Sequence, residues 1–324
     1  MTTKEKILEL FEANKGIYFS GEEIAGKLCV SRAAVWKAVK SLRNEGYMID
    51  AVTNKGYCLS VNTDILSPQG IWKYLDSGYR HLDMTVLSTV DSTNVMVREK
   101  ANNGLAEGYT VISNEQTAGR GRYGRKFFSP NGTGVYMSVL LRPDNYSASQ
   151  AVRITTMAAV AMCEAIEEVS DEKAQIKWVN DIFVKGKKVC GILTEASFGL
   201  ESGLLEYAVL GIGLNVYQPP EGFPKELEQI AGAIFAHTQD DMKNRLVASF
   251  LNHFMGYYTA QNQTDYTEKY RNRSLAVGKQ IQVISGNQVR NAFVYGVDDE
   301  CRLLIKYEDG ETASLAYGEI DIRF

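Results

Sequence analysis

The 324-residue chain is too long for one small domain; at roughly 150 residues per domain it predicts two or three. Its 45% hydrophobic and 23% charged composition is ordinary globular usage and excludes a mostly disordered chain. Its apolar runs fall short of the ~18–20 residues that span a bilayer, so no membrane partner is expected, and a net charge of −4 divides unevenly, with nine Lys/Arg against seven Asp/Glu over residues 1–62 and the acidity in the rest. The first residues, MTTKEKILELFEANKG, have no apolar signal-peptide core, and a cytoplasmic protein is expected. Five scattered cysteines (29, 58, 163, 190, 301) and three histidines form no metal-ligand spacing, so no disulfide framework and no all-protein metal site are expected.

Residues 4–13 are predicted to form a helix, with Ile7, Leu10 and Phe11 at i, i+3, i+4. Ser20 caps a second helix, GEEIAGKL, whose Glu22 and Glu23 suit the positive end of the helix dipole. Cys29-Val30 turn the chain into Ser31, a second cap, and a third helix over about 32–44. Its apolar stripe is Val35, Val39 and Leu42, which leaves Trp36, Lys37, Lys40 and Asn44 facing away. Two short helices, a tight turn and a third helix with a basic outer face spell helix-turn-helix. YMIDAVTNKGYCLS then reads as a hairpin around Asn54-Lys55-Gly56, a wing whose Lys55 meets a phosphate. Residues 27–57 hold six basic residues against two acidic ones. The segment is predicted to bind DNA through Ser31, Arg32, Trp36, Lys37, Lys40 and Lys55. A helical cap packed on the rest of the chain is the alternative. Pro68 biases Ser67 away from helix, and a domain boundary is placed near residue 65.

From about 84 to 217 short strands surround one long helix, 148–169. MTVLSTV is a strand ending at Asp91-Ser92-Thr93-Asn94, where a helix over 94–103 begins. YTVISNEQ and GVYMSVLLR are strands, and QIKWVNDIFV, KVCGILTEAS and LEYAVLGIGLNV follow in close, turn-linked succession. That spacing predicts a mixed or largely antiparallel sheet, not a Rossmann series.

Three features carry chemistry. Gly119-Arg120-Gly121-Arg122-Tyr123-Gly124-Arg125-Lys126 holds four cations in eight residues, among glycines that let backbone approach a ligand. It suits a phosphate or carboxylate, is mobile when empty and is ordered by an anion. It fits neither a P-loop nor a dinucleotide fingerprint; an RGG-like RNA segment is the other reading. Lys177-Trp178-Val179-Asn180-Asp181 sets a lysine in an apolar stretch, either to offset charge on a transferring phosphoryl or carboxyl oxygen or to snorkel to the surface, with a turn at Asn180-Asp181. GILTE (191–195) and GIGLNV (211–216) are apolar strands broken by glycines, open to a flat ligand or to simple bulges.

In this order the winged helix, DSTN, Gln116 with GRGRYGR, KWVNDI, GILTE, GIGLN and a C-terminal β segment resemble the biotin–protein ligases that double as biotin operon repressors. The resemblance implies an α+β multidomain fold. A winged helix-turn-helix occupies 1–65. A mixed-sheet ligase domain related to class II aminoacyl-tRNA synthetases occupies 66–272, and an SH3-like β-barrel 273–324. It implies that biotin and ATP, with Mg2+, give biotinyl-5′-adenylate. The acyl group then passes to a lysine of a biotin carrier domain, as in acetyl-CoA carboxylase or pyruvate carboxylase. It also implies ligand-induced homodimerisation on operator DNA. Site roles follow the matching positions: Ser92, Thr93, Asn94 and Gln116 at biotin; Gly119, Arg120, Gly121 and Arg122 in the loop over the adenylate; Lys177 at the carboxyl/phosphate junction. Gly213 walls the biotin pocket, and Arg122, Phe127 and Asn215 face the nucleotide. Lys177, Arg120 and Arg122 are the catalytic candidates. The family usually has proline where Val179 stands and often tryptophan where Phe127 stands, so Phe128 is a second candidate for stacking on adenine. Rival readings are a ligand-sensing repressor without ligase activity, a ligase whose winged helix has lost its operator, and a lipoate or octanoate ligase.

Overall fold

The computed structural model describes residues 1–144, 146–199, 201–260, 265–285, 288–316 and 319–322. They form two compact units, Met1–Arg80 with His237–Ser249, and His81–Ala236 with Phe250–Phe324.

The first unit begins with helices α1 (Thr3–Glu12), α2 (Gly21–Leu28) and α3 (Arg32–Asn44). Thr2 and Ser20 cap the first two, each in a reciprocal box with the glutamate three residues on, and Ser31 caps α3 through Ala34 N. Ile7, Phe11, Ile24, Val35 and Leu42 are fully buried together, so each helix spends its apolar stripe on one small core. Strands β1 (Ile49–Val52) and β2 (Gly56–Leu59) pair antiparallel as the expected wing. Gly56 has φ +97°, and a Cβ there would lie 2.1 Å from the Phe19 carbonyl oxygen. Only glycine lets the wing close against Phe19, whose backbone exchanges hydrogen bonds with Tyr57. Pro68 does keep Ser67 extended, but it then serves as the first residue of helix α4 (Pro68–Trp72), capped by the Ser67 hydroxyl.

Residues 66–80 and 237–249 belong to this unit because a buried charge cluster fastens them to α1. Lys15 and Lys73 each contact both Glu12 and Asp241, with Lys73 2.8 Å from Glu12 and Lys15 3.0 Å from Asp241. Tyr74 and Asn244 also donate to Asp241, at 2.6 and 2.8 Å. Two carboxylates and two ammonium groups cancel, which is the condition under which charges survive burial.

In the second unit β3 (Met84–Leu87), α5 (Thr93–Asn102), β4 (Thr110–Ser113), β5 (Gly134–Leu141) and α6 (Ala148–Val169) follow in order. Then come β6 (Ala174–Lys177), β7 (Asp181–Val184), β8 (Lys187–Phe198) and β9 (Leu205–Asn215). The seven strands make one sheet in the order β3-β4-β5-β9-β8-β7-β6, with β3–β4 parallel and the other pairs antiparallel. The mixed sheet is the one expected. Helix α7 (Met242–Thr259) falls within the helix that the sequence predicts over 241–262; Asp241 is a turn and Ala260 lies past the helix end, and Gln261 and Asn262 lie outside the described residues. Helix α8 (Asp265–Arg273) was not expected, and the proposed boundary at 272/273 falls at its last residue.

Strands β10 (Gln280–Ser285), β11 (Gln288–Val297), β12 (Leu303–Tyr307), β13 (Thr312–Leu315) and β14 (Glu319–Ile322) form a five-stranded antiparallel sheet, ordered β13-β12-β11-β10-β14. The expected strand ends at 317–318 and 323–324 lie outside the described residues. No described helix is long and apolar enough to cross a membrane.

Burial pushes the Asp241 carboxyl up, but hydrogen bonds from Lys73, Tyr74 and Asn244 and the charge of Lys15 outweigh it and hold the group below its ordinary range. A carboxyl depressed in the folded state stabilises above its unfolded pKa and loses that contribution as pH falls through the folded one. Asp241→Ala, which leaves two half-buried lysines sharing the single carboxylate of Glu12, is expected to cost about 3 kcal/mol at neutral pH. Denaturant titration at neutral and at acidic pH should show the mutant's deficit shrinking on acidification.

Candidate functional site

The second unit contains a cavity of about 540 Å3 on its sheet. At one end Ser92, Thr93 and Asn94 start α5, and all three are buried. Their polar atoms are ordered by neighbours on three strands and loops. Thr93 N and Oγ1 donate to Gln116 Oε1 at 3.0 and 3.2 Å, and Gln116 Nε2 donates to Ser129 Oγ. Asn94 Oδ1 accepts from Ser138 Oγ at 2.6 Å, while its Nδ2 donates to Glu195 at 2.7 Å.

The floor is made by β8 and β9. Their register places Gly191 opposite Gly213, and Leu193 opposite Gly211. A Cβ at Gly211 would lie 2.0 Å from Asn94 Oδ1, and one at Gly213 would lie 2.5 Å from the Phe127 ring. The glycines are there to admit these two side chains to within contact of the sheet. No register shift falls at these glycines, and what lies against them is the protein's own Asn94 and Phe127 side chains. The Phe127 ring lies over both Gly191 and Gly213, braced edge-on by Tyr136 at 6.4 Å. Tyr136 donates to the Pro130 carbonyl, and burial pushes its hydroxyl pKa up, so it stays protonated. Phe128 instead packs on Phe223, 6.2 Å away.

The glycine-arginine segment is a closed loop. Phe127 N donates to Gly119 O, Gly121 N to Arg125 O and Arg125 N to Arg122 O. Its tip turns through Tyr123 and Gly124, both left-handed. Arg122 reaches across to Asn180 Oδ1 at 2.9 Å and lies against the Tyr123 ring. Asn180 in turn exchanges hydrogen bonds with the Ile192 backbone, so the loop is tied to the sheet at one side chain. The turn that carries Asn180 spans Trp178–Asn180, one residue earlier than expected, because Lys177 already pairs with Asp181 in the β6–β7 register. Its first peptide bond, Trp178–Val179, is cis. It is held from behind by Trp178 Nε1, which donates to the Cys301 carbonyl at 3.0 Å, and by Tyr270 OH on the Val179 carbonyl.

Arg120, Arg122, Arg125, Lys126, Lys177 and Lys188 line the cavity, and Asp181 is the one carboxylate among its described lining residues. Of the expected ligand-site residues, Ser92, Thr93, Asn94, Gln116, Arg120, Gly121, Arg122, Phe127, Lys177, Gly213 and Asn215 all line it. Gly119 does not; it is buried under the loop, where a Cβ would meet the Phe127 carbonyl at 2.5 Å. Asn215 donates from Nδ2 to Gly232 O.

Sequence reasoning missed Lys188. Nothing in its spacing separates it from Lys185 and Lys187; the irregular β7–β8 register turns it toward Asp181, 2.7 Å away. The segment around Ile230 pins it, since Lys188 N donates to Ile230 O and Lys188 O accepts from Gly232 N. Phe223, Leu227, Ile230 and Ala231 from that segment also line the cavity, and no periodicity marked them.

In the first unit the expected DNA-contact residues share one exposed region. Arg32, Trp36, Lys37 and Lys40 lie on the outer side of α3, with Trp36 54% exposed and Lys40 5.2 Å over its ring. Lys55 is exposed at the wing tip over Tyr18. The Ser31 hydroxyl is engaged as the α3 cap.

Residues 86–215 match the biotin/lipoate A/B protein ligase family, residues 3–58 a helix-turn-helix domain, and residues 276–323 the biotin protein ligase C-terminal domain. The chain is 34% identical over 314 residues to the bifunctional ligase/repressor BirA of Bacillus subtilis, covering 95% of each. It is 28% identical to the biotin–[acetyl-CoA-carboxylase] ligase of Mycobacterium tuberculosis over 75% of this chain and 90% of that one. In fold it resembles the biotin protein ligase of Aquifex aeolicus in complex with biotin and ATP, with a TM-score of 0.61, 24% identity, and 74% of this chain against 98% of that one.

Gly211→Ala and Gly213→Ala test the floor. Each is expected to leave the fold intact while lowering stability by about 1–3 kcal/mol through overpacking. Far- and near-ultraviolet circular dichroism with thermal melts would check this, and a Gly211→Ala protein as stable as wild type would contradict the close Asn94 contact.

Proposed function

The chain belongs to the bifunctional ligase/repressor family, and we propose that it joins biotin to ATP as biotinyl-5′-adenylate and passes the biotin to a carrier lysine. In the first step a biotin carboxylate oxygen attacks the α-phosphorus, and pyrophosphate leaves. In the second a carrier amine attacks the acyl carbon, an amide forms, and AMP leaves. The carrier is the biotin domain of a carboxylase such as acetyl-CoA carboxylase or pyruvate carboxylase. The observation that carries this reading is the meeting of loop and sheet cations over one apolar, glycine-floored cavity.

Two anions must meet in line, and fixed cations offset their repulsion without reorganising. Arg120 and Arg122 supply that charge from the loop, Lys177 and Lys188 from the sheet. The polar end at Ser92, Thr93, Asn94 and Gln116, with Gly119 and Gly121 shaping the loop beside it, takes the ureido head of biotin, and Gly213 leaves room beside it. Phe127, Arg122 and Asn215 face the nucleotide. The mixed anhydride hydrolyses in water, so a loop closed over it protects the intermediate. ATP brings Mg2+, which neutralises phosphate charge when bound. With a single carboxylate in the cavity, Mg2+ would rest on the phosphates and Asp181, an arrangement that suits this ion.

The same reading makes the first unit a biotin-responsive repressor. Arg32, Trp36, Lys37, Lys40 and Lys55 meet operator DNA, and a ligand-loaded dimer reads two half-sites. The reading divides the chain into a winged helix over 1–65, a ligase domain over 66–272 related to class II aminoacyl-tRNA synthetases, and an SH3-like barrel over 273–324. ATP and carboxylase substrates place it in the cytoplasm.

Biotin, ATP and an apo carrier domain should give a carrier heavier by one biotinyl group. A carrier of unchanged mass, with ligand-dependent operator binding intact, would favour a repressor without ligase activity. Lys177→Ala and Lys188→Ala are each expected to slow adenylate formation by about 10²-fold or more, read as pyrophosphate release from a folded protein. Arg122→Gly should weaken retention of biotinyl-adenylate more than binding of free biotin, since only the adenylate carries phosphate; equal losses by calorimetry would show that the loop does not read it. Operator binding should weaken steeply with salt as phosphate contacts release counterions, and should tighten with biotin and ATP, both read by anisotropy titration.

A further inference from the structure

Glu195 lies on β8 beyond the cavity-lining residues, and the adenylation chemistry does not call on it. Its carboxylate accepts from Asn94 Nδ2 at 2.7 Å on one oxygen and from Arg98 at 3.3 Å on the other. A carboxylate only accepts, so it compels Asn94 to present Nδ2 to it and Oδ1 to Ser138. Leu193 O, also near Asn94 Nδ2 at 3.4 Å, imposes the same orientation. Ser138 Oγ then donates to Asn94 and stands 2.8 Å from Thr93 Oγ1, which donates to Gln116 Oε1. The Thr93 backbone N–H also needs that acceptor, so Gln116 must turn Nε2 to Ser129. Ser129 Oγ donates to the Phe127 carbonyl at the root of the arginine loop. The hydrogen bonds therefore run outward, from Ser138 through Asn94 to Glu195 and from Thr93 through Gln116 and Ser129 to the Phe127 carbonyl, each branch ending on an acceptor-only group.

We infer that Glu195 is a positioning residue for biotin: by fixing the amide direction of Asn94 it sets the donor and acceptor order of Asn94 and Ser138 at the polar end of the cavity. The inference rests on the reading of that end as the biotin site. Without Glu195 only the longer contact to Leu193 O opposes a flip; a flipped amide offers the ligand the wrong atom, and Ser138 loses its fixed donor direction with it. Asn94 lies directly over Gly211, so the sheet sets where the amide sits, and the hydrogen bonds set which way its oxygen and nitrogen point.

Glu195→Ala is expected to raise the biotin KM about tenfold with kcat changed less than twofold. Glu195→Gln, which keeps an acceptor, should stay within about threefold of wild type. Asn94→Asp sets carboxylate against carboxylate and should raise the KM about thirtyfold. Adding Glu195→Gln to it makes an amide-to-carboxylate bond with the same Ser138 direction and should recover about tenfold, a coupling that independent effects do not give. A Glu195→Ala enzyme with unchanged biotin KM, a loss confined to kcat, or an Asn94→Asp defect that Glu195→Gln leaves uncorrected would each overturn the inference. Hydrogen exchange of the Asn94 side-chain amide, followed by NMR without ligand, should be slow in wild type and fast in Glu195→Ala; equal rates would also overturn it. A wild-type chain that does not bind biotin would instead remove the functional reading, and the exchange measurement would still decide the role of Glu195 in the network.

Discussion

The site depends on how closely side chains approach a β-sheet. An ordinary strand keeps its neighbours at the distance of a Cβ, and two positions here do without one. With a Cβ 2.0 Å from Asn94 Oδ1 or 2.5 Å from the Phe127 ring, neither side chain could lie where it does. The antiparallel register then matters as much as the glycines. Gly191 falls opposite Gly213, so the two gaps merge into one patch broad enough for an aromatic ring. The seat of Phe127 at the root of the arginine loop follows from that pairing, and the polar end held by Asn94 follows from Gly211, opposite Leu193.

Electrostatics sets the rest of the cavity. Six cationic side chains face one carboxylate, an imbalance that a folded protein tolerates where an anionic ligand or solvent offsets it. The cations come from segments far apart in sequence. Three arginines and a lysine ride on a loop with its own backbone ladder, and two lysines sit on sheet strands. Asn180 joins the two sets through Arg122, and its turn is held by Cys301 and Tyr270 from the C-terminal part of the unit. Residues that never touch the cavity thus set the distance across it.

The first unit solves a different problem. Helix α3 keeps Trp36, Lys37 and Lys40 exposed, so little apolar surface is left to bind the unit together. The core under α1, α2 and α3 is small, and the neutral cluster of Glu12, Lys15, Lys73 and Asp241 extends it with paired charges. Those charges are specific about partners in a way apolar contacts are not, which fixes residues 237–249 to α1 and α4.

Local patterns by themselves determined a good deal. The Ser20 and Ser31 caps, the apolar stripe of α3 and the Asn54–Gly56 turn set the winged helix, because capping and periodicity act over a few residues. The GRGRYGR, KWVND and GIGLN segments were legible as sites because cations and glycines inside apolar stretches are costly unless used. Their assembly into one cavity was not legible, since it depends on strand order. The tertiary structure alone decided that Lys188 faces the cavity, through a β7–β8 irregularity that no residue type announces. It alone decided that Gly119 supports the loop from below, that α8 exists, and that Asp241 belongs with α1 some 230 residues earlier in the chain. Sequence fixes what each residue prefers within a turn or two; register and burial, which couple residues far apart, choose which of those preferences meet.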